Sequence, residues 1–257
     1  MEMGFIVLCA MGLFSLSLAL NCNTVPGELQ QVDAGSGQVF GVNNDNKIYT
    51  LYGDQWTQLP GALKHVTVGP SGVWGTNANN EIFKLVGGTW LKVSGLLKQV
   101  DAGGNGILGG VNMFDGIFCL GKDPNLAFNK PTSSPAPWQN LPGSLKYYSC
   151  GPYSCWGVNS NNNIYIMKGV TSAECRGSMS WEQIPGALVM VEVGTDGSVF
   201  GVNAGGDLYQ RTGVSSDKPA GTDWALISMC NKLKHVSYDQ GHIWAITLQN
   251  SILDCVV

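Results

Sequence analysis

Tryptophan and asparagine recur at regular intervals along this 257-residue chain, and together they are typical of a carbohydrate-binding site. Flat aromatic rings cover the C–H faces of sugars, and amides both donate and accept the hydrogen bonds that hydroxyl groups need. The alternatives are structural, because tryptophans pack between repeated units and asparagines start turns. The candidates are Trp56, Trp90, Trp138, Trp181, Trp224, Asn43, Asn77, Asn112, Asn159 and Asn203.

Three acidic residues occupy equivalent places directly after a strand valine, and carboxylates are the ligands that calcium prefers. They are Asp33, Asp101 and Glu192. Thr67, Ser149 and Ser237 fill the same place elsewhere in the chain, so a ring of charge would be incomplete. The alternatives are therefore an optional calcium ion and side chains that are solvated or hydrogen-bonded.

Neither the histidines nor the overall charge predicts catalysis or nucleic-acid binding. His65 and His235 fall at one repeat position that also accepts Gln, Tyr and Met, and His242 stands alone, so we expect no enzyme. Charged residues make up only 12% of the chain and the net charge is −4, which excludes a basic field for phosphates. The 35 glycines favour many short strands joined by tight turns.

The first 19 residues have the pattern of a secretory signal peptide. An apolar run too short for a typical membrane span ends in Ser17 and Ala19, a small-x-small cleavage site, which places the mature start at Leu20. The alternative, a membrane anchor, lacks basic flanking residues. The sequence therefore predicts a secreted, extracellular protein without membrane insertion.

A repeated segment divides the remainder of the chain into six copies. Each copy predicts four short strands, here called a to d, with a Leu-x-x-Val core in strand a, Gly-Val-Asn in b, Ile-Tyr or Ile-Phe in c and tryptophan in d. Four-stranded units of this length are typical of propeller blades. We therefore predict an all-β, six-bladed β-propeller that forms a single domain over residues 20–257, with copies that begin near Pro26, Pro60, Ser94, Pro142, Pro185 and Cys230.

The sixth copy ends after its third strand, and the segment from Leu20 to Val25 supplies the missing strand d. Cys22 takes the place of the strand-d tryptophan, which predicts a Cys22–Cys255 disulfide that closes the ring. Cys150 and Cys155 bracket the a–b turn of blade four and are expected to form a second disulfide. The roles of Cys119, Cys175 and Cys230 stay open, and an odd thiol allows a homodimer.

The a–b and c–d loops share one face of the predicted disc, and repeat-specific insertions often mark a binding face. The c–d insertions span 121–137, 169–180 and 213–223, and the a–b loops contain Ser71 and Asp196. This face is therefore the first expectation for the sugar surface.

With its repeats aligned, the chain resembles the tectonin family, and most closely its fish-egg lectins. The Pro-Gly-x-Leu-Lys-x-Val start carries the resemblance, together with Trp-Gly-Val-Asn and the Ile-Tyr strand. It implies binding of N-acetylglucosamine-containing glycans and microbial surface polysaccharide such as lipopolysaccharide, in egg or innate defence. The alternative function is a secreted scaffold for protein–protein interaction.

Overall fold

The computed structural model describes residues 20–120, 135–171 and 173–257. The predicted signal peptide and most of the 121–137 insertion lie outside these residues. The described residues form 24 strands arranged in six four-stranded antiparallel sheets, which confirms the all-β, six-bladed propeller.

Each blade takes its strands in chain order from the centre outward. Blade one contains β2(Gln31–Gly35), β3(Gln38–Val42), β4(Ile48–Tyr52) and β5(Gln55–Leu59), and blade two contains β6(His65–Gly69), β7(Gly72–Thr76), β8(Glu81–Val86) and β9(Thr89–Leu96). Blade three contains β10(Gln99–Asp101), β11(Gly109–Val111), β12(Ile117–Leu120) and β13(Trp138–Leu141). Blade four contains β14(Tyr147–Cys150), β15(Ser154–Val158), β16(Asn163–Lys168) and β17(Glu182–Ala187). Blade five contains β18(Met190–Val193), β19(Val199–Val202), β20(Leu208–Arg211) and β21(Trp224–Ile227).

Blade six combines both ends of the described chain. Its strands are β22(Leu233–Asp239), β23(His242–Thr247), β24(Ser251–Val256) and, outermost, β1(Asn21–Glu28). Cys22 lies opposite Cys255 in the β1–β24 pairing, and the two are joined by a disulfide with an S–S distance of 2.03 Å. The structure therefore closes the ring with the strand and the disulfide that the sequence predicts.

The core lies between adjacent blades, and the innermost strands are almost wholly buried. Strand β2 is buried along its length, whereas β5 is exposed or half-buried, because the outer strand of each blade faces solvent. The six innermost strands contact one another in sequence around the axis. Alternate apolar residues of neighbouring blades then pack face to face, as in Trp74 against Leu97 and Leu108.

Successive blades are joined at one end of the ring by a repeated backbone hydrogen bond. The leucine just before strand a, or at its first position in blade six, donates its N–H to a carbonyl in the b–c turn of the preceding blade, as Leu63 does to Asn46 at 2.9 Å. The accepting residue always has a positive φ, which asparagine and glycine adopt at low cost. The six donor–acceptor pairs are Leu29–Asn250, Leu63–Asn46, Leu97–Asn80, Leu145–Asp115, Leu188–Asn162 and Leu233–Gly206.

Two further disulfides reinforce blades three and four. Cys150 is bonded to Cys155 across the a–b turn of blade four, the pairing that the sequence predicts. Cys119 in β12 is bonded to Cys175 in the c–d loop of blade four, so this disulfide crosses between blades. Cys230 is a free, exposed thiol among the described residues.

Candidate functional site

The same small pocket occurs between neighbouring blades at the end of the ring that carries the b–c turns and d–a linkers, here called the turn face. We call these sites the outer pockets. In blade five the pocket is lined by Trp224, Tyr209 and Asn203 from the blade itself, by the Gly186–Leu188 linker, and by Ile164 from blade four. Strand d therefore supplies the tryptophan, strand c the second aromatic ring, and the end of strand b the asparagine.

Four of these pockets are cavities of similar composition, and blade two contains the same groups. The cavity volumes are about 240 Å³ in blade one, 170 Å³ in blade three, 280 Å³ in blade four and 170 Å³ in blade five. In blade two, the Trp90 ring packs beside Gly61 and Ile48, as its counterparts do elsewhere. The structure thus places each of the five candidate tryptophans beside a linker glycine. In each of the four measured cavities the tryptophan lies together with the asparagine of the same blade.

The linker glycine is required by both conformation and space. Gly95 has a φ of +116°, and a Cβ added there would lie 2.8 Å from the indole nitrogen of Trp138. L-residues rarely adopt this conformation, and the added carbon would overlap the ring. Glycine thus lets the indole lie directly against the backbone that forms the floor of the pocket.

The strand-d tryptophans are both structural and available to a ligand. In four blades the indole N–H donates to the carbonyl of the residue before the linker glycine, as Trp181 does to Pro142 at 2.9 Å. Trp56 is the exception, because its indole nitrogen is buried and has no hydrogen-bond partner among the described residues. All five rings stay half-buried, so each fixes the linker and still presents part of its face to the pocket.

The five asparagines use their side-chain oxygen to build the b–c turn. Asn159 Oδ1 accepts the N–H groups of Asn161 and Asn163 at 3.0 and 2.9 Å, and the other four asparagines repeat the arrangement. The side-chain oxygen of each asparagine therefore serves the turn, which is the structural role that the sequence also allowed. The Nδ2 group donates to a side chain of the same blade in blades two, four and five, to Glu81, Tyr165 and Asp207.

Sequence reasoning missed two components of the pocket, although both carried a signal. The strand-c aromatic rings were recognised only as strand markers, yet Tyr49, Phe118, Tyr165 and Tyr209 line the cavities. The Pro-Gly linkers were recognised only as the start of each repeat. Their recurrence with the tryptophan at a fixed interval was the signal that could have joined them into one site.

In blade six, three components of the outer pocket have changed. Cys22 stands where the tryptophan would be and is tied into the disulfide with Cys255. Thr247 replaces the asparagine and keeps only the turn-building role, since its Oγ1 accepts the N–H groups of Gln249 and Ser251. Leu253 occupies the strand-c aromatic position.

The two candidates from the a–b loops lie at the opposite end of the ring from the outer pockets. Ser71 is buried and donates its hydroxyl to the Ile107 carbonyl at 3.2 Å. Asp196 accepts a hydrogen bond from the Tyr238 hydroxyl at 3.2 Å and another from Ser198 N–H. Both therefore serve loop structure through the contacts that the structure shows.

Asp33, Asp101 and Glu192 lie on the central axis, where they alternate with the hydroxyls of Thr67, Ser149 and Ser237. We call these six residues the inner belt. Each of five members accepts a backbone N–H from the next blade, as Asp101 Oδ1 does from Cys150 at 2.8 Å. Ser237 links two acids, since its oxygen lies 3.0 Å from Asp33 and 3.2 Å from Glu192.

Burial changes the protonation of these central groups. Desolvation raises the pKa values of Asp33, Asp101 and Glu192, and the proximity of the other carboxylates raises those of Asp101 and Glu192 further. One layer away, burial lowers the pKa values of His65 and His235 to about 3. In the part of the chain that the structure describes, no group of three or more His, Cys, Asp or Glu side chains is placed to hold a metal ion.

The described ranges also contain no helix that is long and apolar enough to cross a membrane. The fold and the repeated pockets define a class: a disulfide-closed, six-bladed propeller with an aromatic- and amide-lined pocket in each of four blades. Residues 28–248 match the tectonin domain family. The chain therefore belongs to the tectonin family.

Two relatives of known name support this assignment. The chain is 60% identical to the fish-egg lectin of Cyprinus carpio over 239 residues, which are 93% of this chain and 99% of that protein. It is 34% identical to Tectonin-2 of Physarum polycephalum over 78 residues, 30% of this chain and 20% of that protein.

Distant solved structures share the fold alone. Virginiamycin B lyase from Staphylococcus aureus has a TM-score of 0.57 at 15% identity, covering 88% of this chain and 79% of that one. YCF48 from Cyanidioschyzon merolae has a TM-score of 0.55 at 13% identity, covering 91% and 85%. Identities this low are compatible with unrelated functions on one architecture.

Proposed function

We propose that this protein is a secreted, non-enzymatic lectin that binds N-acetylglucosamine-type glycans, including those of bacterial surfaces such as lipopolysaccharide, through its five outer pockets. The proposal includes cleavage after Ala19 and a role in egg or innate defence. The observation that carries it is the repetition of one pocket with one composition, seen in blade five as Trp224, Tyr209 and Asn203. The name of the 60% identical relative, fish-egg lectin, supports the same ligand class.

The composition of the pocket suits an N-acetylated sugar. The half-buried tryptophan covers the apolar face of a pyranose ring, and the neighbouring strand-c ring provides a second wall for a methyl group. The asparagine Nδ2 donates to a carbonyl or hydroxyl oxygen. In blades one and three no side chain of the described residues accepts a hydrogen bond from this amide, so its donor is available to a ligand.

The sites are small and shallow, so the function depends on their number. One sugar residue in such a cavity makes few polar contacts, which limits the affinity of a single pocket. Five pockets around one face engage a dense glycan surface together and raise the overall affinity by avidity. A homodimer, which the exposed Cys230 thiol allows, would double the valency.

A glycan array and an agglutination assay test the proposal together. We expect signal on N-acetylglucosamine-containing and lipopolysaccharide glycans, and agglutination that free N-acetylglucosamine inhibits at millimolar concentration. An array without these signals would refute the proposal. Capture of one secreted protein partner, at equal strength with and without sugar, would favour the scaffold instead.

A further inference from the structure

The outer pocket of blade three has an exposed apolar linker residue in its wall, and two more exposed apolar residues directly follow its lining residue Asn112. Leu96, Met113 and Phe114 are 52%, 37% and 84% exposed. Exposed apolar side chains that form a contiguous patch often mark binding surfaces. The other repeats of the same chain show whether the fold needs them.

The linker position occupied by Leu96 is small or polar in every other outer pocket. Leu96 lies between Gly95 and Leu97 and lines the blade-three cavity beside Trp138 and Phe118. The leucine is therefore an addition to the pocket wall and is not required by the linker. Its counterparts are Glu28, Ala62, Ser144 and Ala187.

The b–c turn of blade three is also apolar, although the conformation of the turn does not require apolar residues. Asn112 Oδ1 accepts the N–H groups of Phe114 at 2.9 Å and Gly116 at 2.8 Å, the same contacts that polar turns make in the other blades. The turn leads from the blade-three pocket to the linker of blade four, where Asp115 O accepts the Leu145 N–H. The counterparts of Met113–Phe114 are Asn44–Asp45, Ala78–Asn79, Ser160–Asn161 and Ala204–Gly205.

The pocket itself has also lost polar groups, although it keeps its amide donor. Asn77 and Asn203 donate to Glu81 and Asp207 four residues later, whereas the residue four after Asn112 is Gly116. Phe118 lacks the hydroxyl that Tyr165 offers to Asn159 in blade four. Blade three thus combines one free amide donor and one indole with an apolar border.

We propose that the blade-three pocket binds a saccharide that carries an aliphatic acyl or alkyl chain. The sugar lies against Trp138 and Asn112, as proposed for the other outer pockets, and the chain lies over Leu96 towards the Met113–Phe114 turn. This inference rests on the proposed function and makes blade three the amphipathic site of the ring. Each methylene removed from water contributes about 4-fold to affinity, so a few buried methylenes give at least about 10-fold.

The test compares the methyl and octyl β-glycosides of N-acetylglucosamine, with the octyl compound kept below its micelle concentration. We expect the octyl glycoside to bind the full mature chain at least about 10-fold more tightly than the methyl glycoside, at one site per chain. The variant Leu96→Ser/Met113→Ser/Phe114→Asn carries the residues of blade four at exposed positions. It is expected to lose the octyl preference, while the methyl glycoside binds the other outer pockets unchanged.

Two matched variants complete the design. Leu248→Ser removes an exposed leucine from the b–c turn of blade six, where Cys22 replaces the strand-d tryptophan, so the octyl preference should remain. The reciprocal change in blade four, Ser144→Leu/Ser160→Met/Asn161→Phe, should create a second octyl-preferring site.

The outcomes separate this inference from the proposed function. Equal affinity for the two glycosides, or an octyl preference that survives in the triple blade-three variant, would overturn the amphipathic site alone. Failure of the methyl glycoside to bind any outer pocket would overturn the proposed function. Failure of both glycosides to bind would overturn both.

Discussion

Blade six resembles the other five blades at its innermost strand, which contributes to the inner belt, and differs from them at its outermost strand, which lacks the pocket tryptophan. At the centre, Ser237 belongs to the inner belt, and its hydroxyl lies within hydrogen-bond distance of the carboxylates of Asp33 and Glu192. At the rim, Cys22 replaces the tryptophan and forms the closing disulfide. The innermost strands of all six blades therefore contribute to the contacts that hold the ring together. The outermost strand varies, since it supplies a pocket tryptophan in five blades and the closing disulfide in blade six.

This contrast separates residues that hold the ring from residues that contact a ligand. Changes at the inner belt or the closure should alter stability and leave the intrinsic affinity of each pocket unchanged. Changes at the outer pockets of blades one to five should alter binding more than stability.

The largest effect is expected from opening the closure. Cys22→Ser with Cys255→Ser removes a cross-link between residues 233 positions apart. Because this cross-link restricts most of the unfolded chain, its loss should lower the free energy of unfolding by about 4 kcal/mol. Urea denaturation measures the change. A loss below about 1 kcal/mol would show that strand pairing between β1 and β24 closes the ring without help.

Removing one outer-pocket indole should remove one binding site. Trp181→Ala deletes the ring and its hydrogen bond to Pro142, and we expect a loss of about 2 kcal/mol in stability, since the ring is only half-buried. Glycan binding should fall by one site per chain. Tyr52→Ala, at an exposed position where strand β4 meets the c–d turn, is the control and should retain every site. Unchanged stoichiometry in Trp181→Ala would assign the indole to packing alone.

The inner belt should make stability depend on pH. Burial raises the pKa of Asp101, so the folded chain holds a proton that the unfolded chain releases above about pH 4. The stabilisation from the protonated acid is present at low pH and is lost as pH rises through the raised pKa. His65 and His235 act in the opposite direction, since burial lowers their pKa values and their contribution is lost as pH falls below about 6.5.

Between pH 7 and 9 the histidines are neutral in both states, so the acids dominate the comparison. Asp101→Asn should reduce the fall in stability over this interval by about 1 kcal/mol, and Asp54→Asn, at an exposed turn, should not. Thermal unfolding at several pH values measures this difference. Identical pH profiles for Asp101→Asn and the unmodified chain would refute the assigned protonation of the inner belt.

The smallest effect is expected from the amide donor. Asn112→Asp keeps an oxygen for the turn N–H groups of Phe114 and Gly116 but removes the Nδ2 donor. Glycan affinity at blade three should fall about 5-fold, the value of one hydrogen bond, with little change in stability. Asn112→Ala should lower both, because it also breaks the turn. Equal glycan affinity in Asn112→Asp would remove the amide from the list of ligand contacts.

The repeats were sufficient to predict the ring because each strand and turn is encoded locally. Because the segment from Leu20 to Val25 had to supply the missing strand d of blade six, its pairing with the last strand also predicted that Cys22 lies next to Cys255. The pairing of Cys119 with Cys175 could not be predicted, because it crosses two blades through a loop whose path no repeat defines. The outer pocket could likewise be predicted only in part. Ile164 of blade four and Trp224 of blade five meet there through packing between repeats, which the sequence pattern of a single repeat does not encode.

The most direct test of the outer pockets uses the eight tryptophans of the chain. Five are the strand-d rings of the pockets, and the other three, Trp74, Trp156 and Trp244, are buried in strand b. A titration of the ¹⁵N-labelled chain with an N-acetylglucosamine oligosaccharide would follow all indole N–H signals at once. We predict that the five strand-d signals shift while the three strand-b signals stay. Shifts confined to the strand-b signals, or no shift at a saturating sugar concentration, would contradict it.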